Sequence, residues 1–204
     1  MKQTETSRLS RRGFLGGVLG VGFTVIGSTL AGTSVFGSLL RRGPKFDERF
    51  ELAIDLEINE VVEFRKPHRP YLAVWIEDPR GRSVRTLGLW IQTVKRGPRW
   101  IPDLRRWFAG EQARKQTEGG DLVATVSGAT KNPGKYNLVW DGKDDRGVLV
   151  EQGEYVVFIE AAREHGTYQL MRQSVMVGKK QVKPVEMPGN IEIKGATVEF
   201  RKRK

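Results

Sequence analysis

The chain has 204 residues, no cysteine, and 35 lysines and arginines against 24 acidic residues, for a formal net charge of +11. The missing cysteines exclude disulfides, thiolate metal sites, iron–sulfur clusters and cysteine nucleophiles, so stability has to come from packing alone. A basic balance suits an anionic partner, but no helix-turn-helix or zinc-finger pattern is present, and nucleic acid is set aside.

In chain order, Ser10-Arg11-Arg12-Gly13-Phe14-Leu15 opens a run from 13 to 40 that carries no charge and is closed by Arg41-Arg42. The segment resembles a twin-arginine export signal, with Arg11, Arg12, Phe14 and Leu15 as its recognition residues. That resemblance implies the twin-arginine translocase as a partner and a periplasmic, extracytoplasmic location. An ordinary secretory signal or signal anchor is the alternative. No Ala-x-Ala cleavage site is present, and the run exceeds the roughly 20 residues a helix needs to cross a bilayer. Residues 1–42 therefore read as a signal or an uncleaved anchor helix in the inner membrane, and residues 43–204 as a single domain.

Phe50 to Ile58 alternates, with apolar side chains at the even positions and mostly acidic ones at the odd, which predicts a half-buried strand. Tyr71 to Ile76 is continuously apolar and stops at the turn Asp78-Pro79-Arg80-Gly81; Val84 to Val94 adds one or two strands, so this half reads as a hairpin. One short helix is expected around Ile101 to Phe108, starting at Pro102 and Asp103 and directing Leu104, Trp107 and Phe108 to one face over a sheet. Strand, loop, strand follows over Tyr136–Trp140, the turn cluster Asp141–Gly147, and Tyr155–Ala161. Further strands are expected at Tyr168–Val177 and Ile191–Phe200. The pattern predicts a mainly β fold, an immunoglobulin-like β-sandwich with one short helix. Lysines gather at Lys179, Lys180 and Lys183 and in Arg201-Lys202-Arg203-Lys204, suiting anionic lipid headgroups or a solvated basic C-terminal tail.

Gly-x-Tyr, Trp-Asp-Gly and Asp-Asp-x-Gly between two strands also look like the hairpin of the immunoglobulin-like module in flagellar hook-capping proteins, a likeness of fold only. A closer resemblance rests on motifs that occur in order from 50 to 177. They are Ala73-Val74-Trp75-Ile76-Glu77-Asp78, Val84-Arg85-Thr86-Leu87, the helix ending at Trp107, Ser127-Gly128-Ala129-Thr130, Pro133-Gly134, Trp140 to Asp145, Gly153-Glu154-Tyr155 and Glu160 to Gly166. Together they resemble the exported proteins grouped as domain of unknown function 2271. The resemblance implies an extracytoplasmic flavin system, in company with PepSY-type membrane proteins and a flavin transferase.

Ser127, Gly128, Ala129 and Thr130 are similar to the acceptor sequence of flavin transferases, which attach FMN through a phosphoester to the threonine hydroxyl. An exposed loop threonine with small neighbours suits entry into a transferase site. The acceptor pattern opens with aspartate three residues before the serine, and that position is Ala124; the nearest acid is Asp121. A structural strand-to-turn role for the tetrapeptide is the alternative, and Gly195-Ala196-Thr197 is a weaker copy.

Asp141, Asp144 and Asp145 are weak metal candidates, because their spacing does not match a calcium loop and turn formation accounts for them. His68 and His165 are far apart in sequence and form no convincing metal pair, with Gly166 supplying the positive φ of the second one's turn. No nucleophile elbow is present, so no catalytic residue is assigned and the protein is read as not an enzyme. An unrecognised hydrolase remains a lesser reading, which needs a pocket of convergent acids and bases. The five tryptophans read as packing, with one or two near Thr130 available to stack on a flavin ring. The favoured function is a non-catalytic accessory or FMN-carrying component of a redox system. The alternative is a cofactor-free structural or partner-binding envelope domain.

Overall fold

The computed structural model describes residues 43–60 and 68–203. Arg11, Arg12, Phe14, Leu15 and the anchor reading of the uncharged run lie outside the described residues. Among the described residues, no helix is long and apolar enough to cross a membrane.

Among the described residues, nine strands form two sheets. The first holds β1 (Phe50–Ile58), β5 (Gly134–Trp140), β8 (Val182–Pro188) and β9 (Ile193–Lys202) in the order β5-β1-β9-β8, with every neighbouring pair antiparallel. The second holds β2 (Tyr71–Glu77), β3 (Ser83–Trp90), β4 (Ser127–Gly128), β6 (Gly153–Ala162) and β7 (Tyr168–Val177) in the order β4-β3-β2-β6-β7, antiparallel except for β3 with β4. The even residues of β1 point inward as their alternation requires, and Leu52, Ile54 and Leu56 are buried against Val74, Val157, Ile159, Val198 and Phe200 of both sheets. Trp140 lies 5.0 Å from Tyr155 and 5.5 Å from Phe46, ring centre to ring centre, while Phe50 stacks on Phe200 at 5.1 Å. Each such side chain removed from water contributes on the order of 1.5–3 kcal/mol.

The outer face of the second sheet is covered as well. A 3-10 helix (Gly97–Asp103), α1 (Arg105–Glu118) and α2 (Leu122–Val126) supply Ile101, Leu104, Trp107 and Leu122, which pack on Tyr71, Ala73, Trp75, Leu89 and Phe158. The continuous apolar run of β2 is explained by this double burial: one parity faces the inter-sheet core and the other faces the helices.

Several expectations are corrected. The single short helix is three helical segments, because Pro98 and Pro102 fit a 3-10 turn and Leu104 adopts a non-helical conformation that delays α1 to Arg105. The residues before the tetrapeptide form α2, a helix the sequence pattern did not announce, with Asp121 as its N-cap accepting from Ala124 N at 3.1 Å. β3 ends at Trp90 and β9 runs on to Lys202, so Arg201 and Lys202 belong to a strand and not to a tail. β8 is additional, an edge strand that tolerates Pro184. β5 and β6 are not a hairpin: they lie in different sheets, and residues 141–152 cross from one to the other.

That crossover depends on Gly142, which sits at φ +78°, where a Cβ would come within 2.1 Å of the Phe46 ring. Gly142→Ala is expected to lower the unfolding free energy by about 2–3 kcal/mol, from backbone strain plus overpacking, read from the midpoint of a urea titration.

Candidate functional site

The acceptor-like tetrapeptide sits at one end of the second sheet. Ser127 and Gly128 run parallel to Leu89 and Trp90 as β4, and Gly128 O accepts from Ile91 N at 2.9 Å. This pairing fixes the start of the loop, while Gly128 and Ala129 remain exposed and Thr130 is half-buried. The Thr130 hydroxyl makes no hydrogen bond with a described residue. The following turn is held by the Tyr136 hydroxyl, which donates to Asn132 O at 2.8 Å, and Lys131 Nζ lies over the rings of Trp90 and Tyr136 at 5.4 and 5.9 Å.

Thr130 lines a cavity of about 310 Å³ with His68, Arg69, Trp100, Asp103 and Glu164 among its walls. Its floor includes Tyr71, whose hydroxyl donates to Gly97 O at 2.9 Å; burial pushes that phenol above its ordinary pKa, so it stays protonated. The two histidines, separate in sequence, share Trp100 as a neighbour: His68 lines the cavity with it, and His165 packs edge-on against it at 4.8 Å. His68 Nδ1 and Glu164 Oε2 are 3.9 Å apart. His165 itself takes the positive φ, +54°, that was expected of Gly166. Gly166 is needed for a different reason, since a Cβ there would meet the Arg163 side chain at 3.0 Å.

Of the five tryptophans, Trp75, Trp107 and Trp140 are core, whereas Trp90 and Trp100 flank the Thr130 loop and are partly exposed. Thr197 is no equivalent of Thr130, because it lies in β9 between β1 and β8 with its backbone in the sheet. Asp121 is also unable to stand in for the missing aspartate. It caps α2 and binds Lys115 at 2.9 Å, and that hydrogen bond, then the one from Ala124, hold its carboxyl below the usual range.

The three loop aspartates serve turns. Asp141 accepts from Lys143 N, Asp144 from Arg146 N and Val148 N, and Asp145 from Thr86 N at 3.0 Å, tying the crossover to β3. Burial raises the Asp145 carboxyl, whose Oδ2 has no hydrogen-bond partner among the described residues. Among the described residues, no three His, Asp or Glu side chains are grouped as a metal site requires.

The other motifs seat α1 on its sheet. Glu160 is fully buried and accepts from Arg106 N and Trp107 N, both at 2.9 Å, and from the Tyr168 hydroxyl at 2.7 Å. Glu77 accepts from Trp75 Nε1 at 2.8 Å and from both ends of the Arg106 fork. Trp107 Nε1 donates to Thr86 Oγ1 at 3.1 Å, and Glu111, also buried, binds Arg114 and Leu122 N. Burial, then the Glu160 hydrogen bond, raise the Tyr168 phenol well above its usual pKa. A charged residue in an apolar strand is the signal that marks Glu160 and Glu77; alternation alone assigns both to an open face.

No curated protein and no solved structure matches this chain. The family model DUF2271, described as a predicted periplasmic protein, matches residues 51–195, which takes in β1 from its second residue, every strand from β2 to β8 and the whole Thr130 loop. The chain belongs to this DUF2271 family of predicted periplasmic proteins.

Proposed function

We propose that the protein is exported by the twin-arginine route and acts as a non-catalytic accessory of an extracytoplasmic redox system, carrying FMN on Thr130. The observation that carries this reading is the Thr130 hydroxyl, without a hydrogen-bond partner among the described residues, in an exposed Gly-Ala loop at a cavity walled by Trp100 and Arg69. Small neighbours allow the loop to enter a transferase site. In the attachment step, the Thr130 oxygen attacks the flavin-side phosphorus of FAD; the new P–O bond replaces the pyrophosphate P–O bond, AMP leaves, and the hydroxyl proton passes to the transferase's base. Once attached, the flavin supplies the electron chemistry, and this chain contributes position. Trp100 offers a face for the ring and Arg69 a cation for the phosphate. PepSY-type membrane proteins and a flavin transferase are the partners this reading requires.

The same proposal includes an immunoglobulin-like β-sandwich for the fold. The orders β5-β1-β9-β8 and β4-β3-β2-β6-β7, with crossovers between the sheets after β1, β4, β5 and β7, support it.

A cofactor-free partner-binding domain is the second reading, favoured by Ala124 and by the engagement of Asp121 as a cap. The hydrolase reading has less support, because His68 and Glu164 stand 3.9 Å apart, beyond a hydrogen bond. Intact mass of the protein from cells with an active flavin transferase separates the first two. An FMN-sized increment that maps to Thr130 and disappears in Thr130→Ala is expected; an unmodified wild-type mass leaves the partner-binding reading in its place.

A further inference from the structure

We propose that the end of the domain where β1 begins and β9 finishes is a docking surface for anionic lipid headgroups. The two basic clusters are separated in sequence but converge in space. β8 pairs with β9 so that Val182 faces Phe200, and β1 pairs with β9 so that Phe50 faces Lys202. Arg203 N donates to Arg49 O at 2.9 Å. Lys179 is near enough to Asp47 to contribute to its lowered pKa, after the dominant hydrogen bonds from Arg49. Arg49, Lys179, Lys180, Lys183, Lys202 and Arg203 are all exposed, and the last five make no ion pair with a described residue.

The acids at this end do not cancel the cluster. Asp47 is bound to Arg49 at 2.6 Å, and Glu51 and Glu199 are bound to Arg201, leaving exposed Glu48 and Glu154 and half-buried Glu151 against five exposed cations that make no ion pair with a described residue. Lys202 continues the inward register one step past Phe200, so its side chain leaves the core at the rim.

The choice of a bilayer follows from where the chain enters. Gly43 follows Arg41-Arg42 and the uncharged run from 13 to 40. Pro44 O then accepts from Gln152 N at 2.7 Å, and Phe46 N donates to Val150 O at 2.9 Å, which places the entry at this same end. Cations beside such an entry are where an anionic leaflet attracts them most, and the attraction fades within a Debye length.

A consequence follows for Thr130. β6 runs from Gly153 at the basic end to Ala162 at the Thr130 cavity. Ten residues of strand span roughly 30 Å, so docking holds that cavity away from the bilayer and open to a partner.

The test is a lysine-acetylation footprint of the full chain reconstituted in phosphatidylglycerol–phosphatidylethanolamine vesicles and in phosphatidylcholine vesicles. Lys179, Lys180, Lys183 and Lys202 are expected to react at least about threefold more slowly in the anionic vesicles. Lys95 and Lys135, exposed at the other end, are expected to react equally in both. Raised salt and the pair Lys179→Glu with Lys180→Glu are expected to abolish the difference at Lys183 and Lys202. Equal footprints in the two vesicle types overturn the proposal, as does protection insensitive to salt and to charge reversal. Equal footprints combined with protection in periplasmic extract assign the surface to an acidic protein instead.

Discussion

Glu192→Ala is expected to lower the unfolding free energy by about 3–5 kcal/mol, because it leaves Arg163 charged and buried without its carboxylate. Glu192 is fully buried and Arg163 nearly so. The two form a fork-to-fork pair at 2.8 and 2.6 Å. Arg163 also donates to His68 O, and Glu192 accepts from the Thr167 hydroxyl, so three chain segments meet on this pair. The attraction itself contributes little net stability, since removing both charges from water costs about as much as pairing them returns. Breaking one side is what is expensive. The double variant Arg163→Met with Glu192→Leu is therefore expected to be more stable than Glu192→Ala alone. Guanidinium titrations of the three proteins decide the matter: a single-variant loss under about 1 kcal/mol, or a double variant worse than the single, removes the argument.

Glu160→Ala is expected to cost a similar amount, about 3–5 kcal/mol, through the start of α1. The first amides of a helix have no internal partner, and Leu104 at the N-cap has no side-chain acceptor. The carboxylate of Glu160 reaches across from β6 to take Arg106 N and Trp107 N, the N2 and N3 amides, and its charge opposes the positive end of the helix dipole. Each charge-assisted bond contributes about 1.5–3 kcal/mol, and removal also takes away the acceptor of the half-buried Tyr168 hydroxyl. Glu160→Gln keeps the shape but turns an amide NH2 toward donors, so an intermediate loss of about 1–3 kcal/mol is expected. Hydrogen exchange supplies the second reading: amides of 105–118 are expected to exchange faster in both variants, well ahead of those in β2 and β6. Uniform acceleration across the domain would show that Glu160 serves the core in general and not the helix.

These two glutamates also show where reading residues in order stops being enough. The strands β1, β2, β6 and β7 are legible, because alternation or a continuous apolar run acts within each segment. The even positions of β1 and the odd positions of β6 face the inter-sheet core as their spacing requires. The same alternation assigns Glu160 to the opposite face and therefore to water. It is buried only because α1 covers that face, a fact contained in the helix and not in the strand. β8 is not legible from its own residues, since lysines and Pro184 are typical of a loop, and its pairing with β9 makes it a strand. α2 is hidden for the opposite reason: Leu122, Val123 and Val126 suit a strand, but the Asp121 cap and the amide of Leu122 held by Glu111 close a helical turn.

For the candidate site, the tetrapeptide is visible as a motif, and its exposed, small-residue character follows from Gly128 and Ala129 alone. Its surroundings are not visible. Thr130, Trp100, His68 and Glu164 come from four separate stretches of chain, and the cavity exists because the 3-10 helix and the β6–β7 turn meet beside the end of β3.

The sequence by itself determines the periodicities and the turns, which depend on neighbours a few residues apart, and the excess of cations over acids, which is composition alone. The tertiary structure alone decides which side chains meet. Glu160 finds α1 across 54 and 53 positions, Arg163 finds Glu192 across 29, and the cationic clusters converge through strand pairing, contacts that no local spacing encodes.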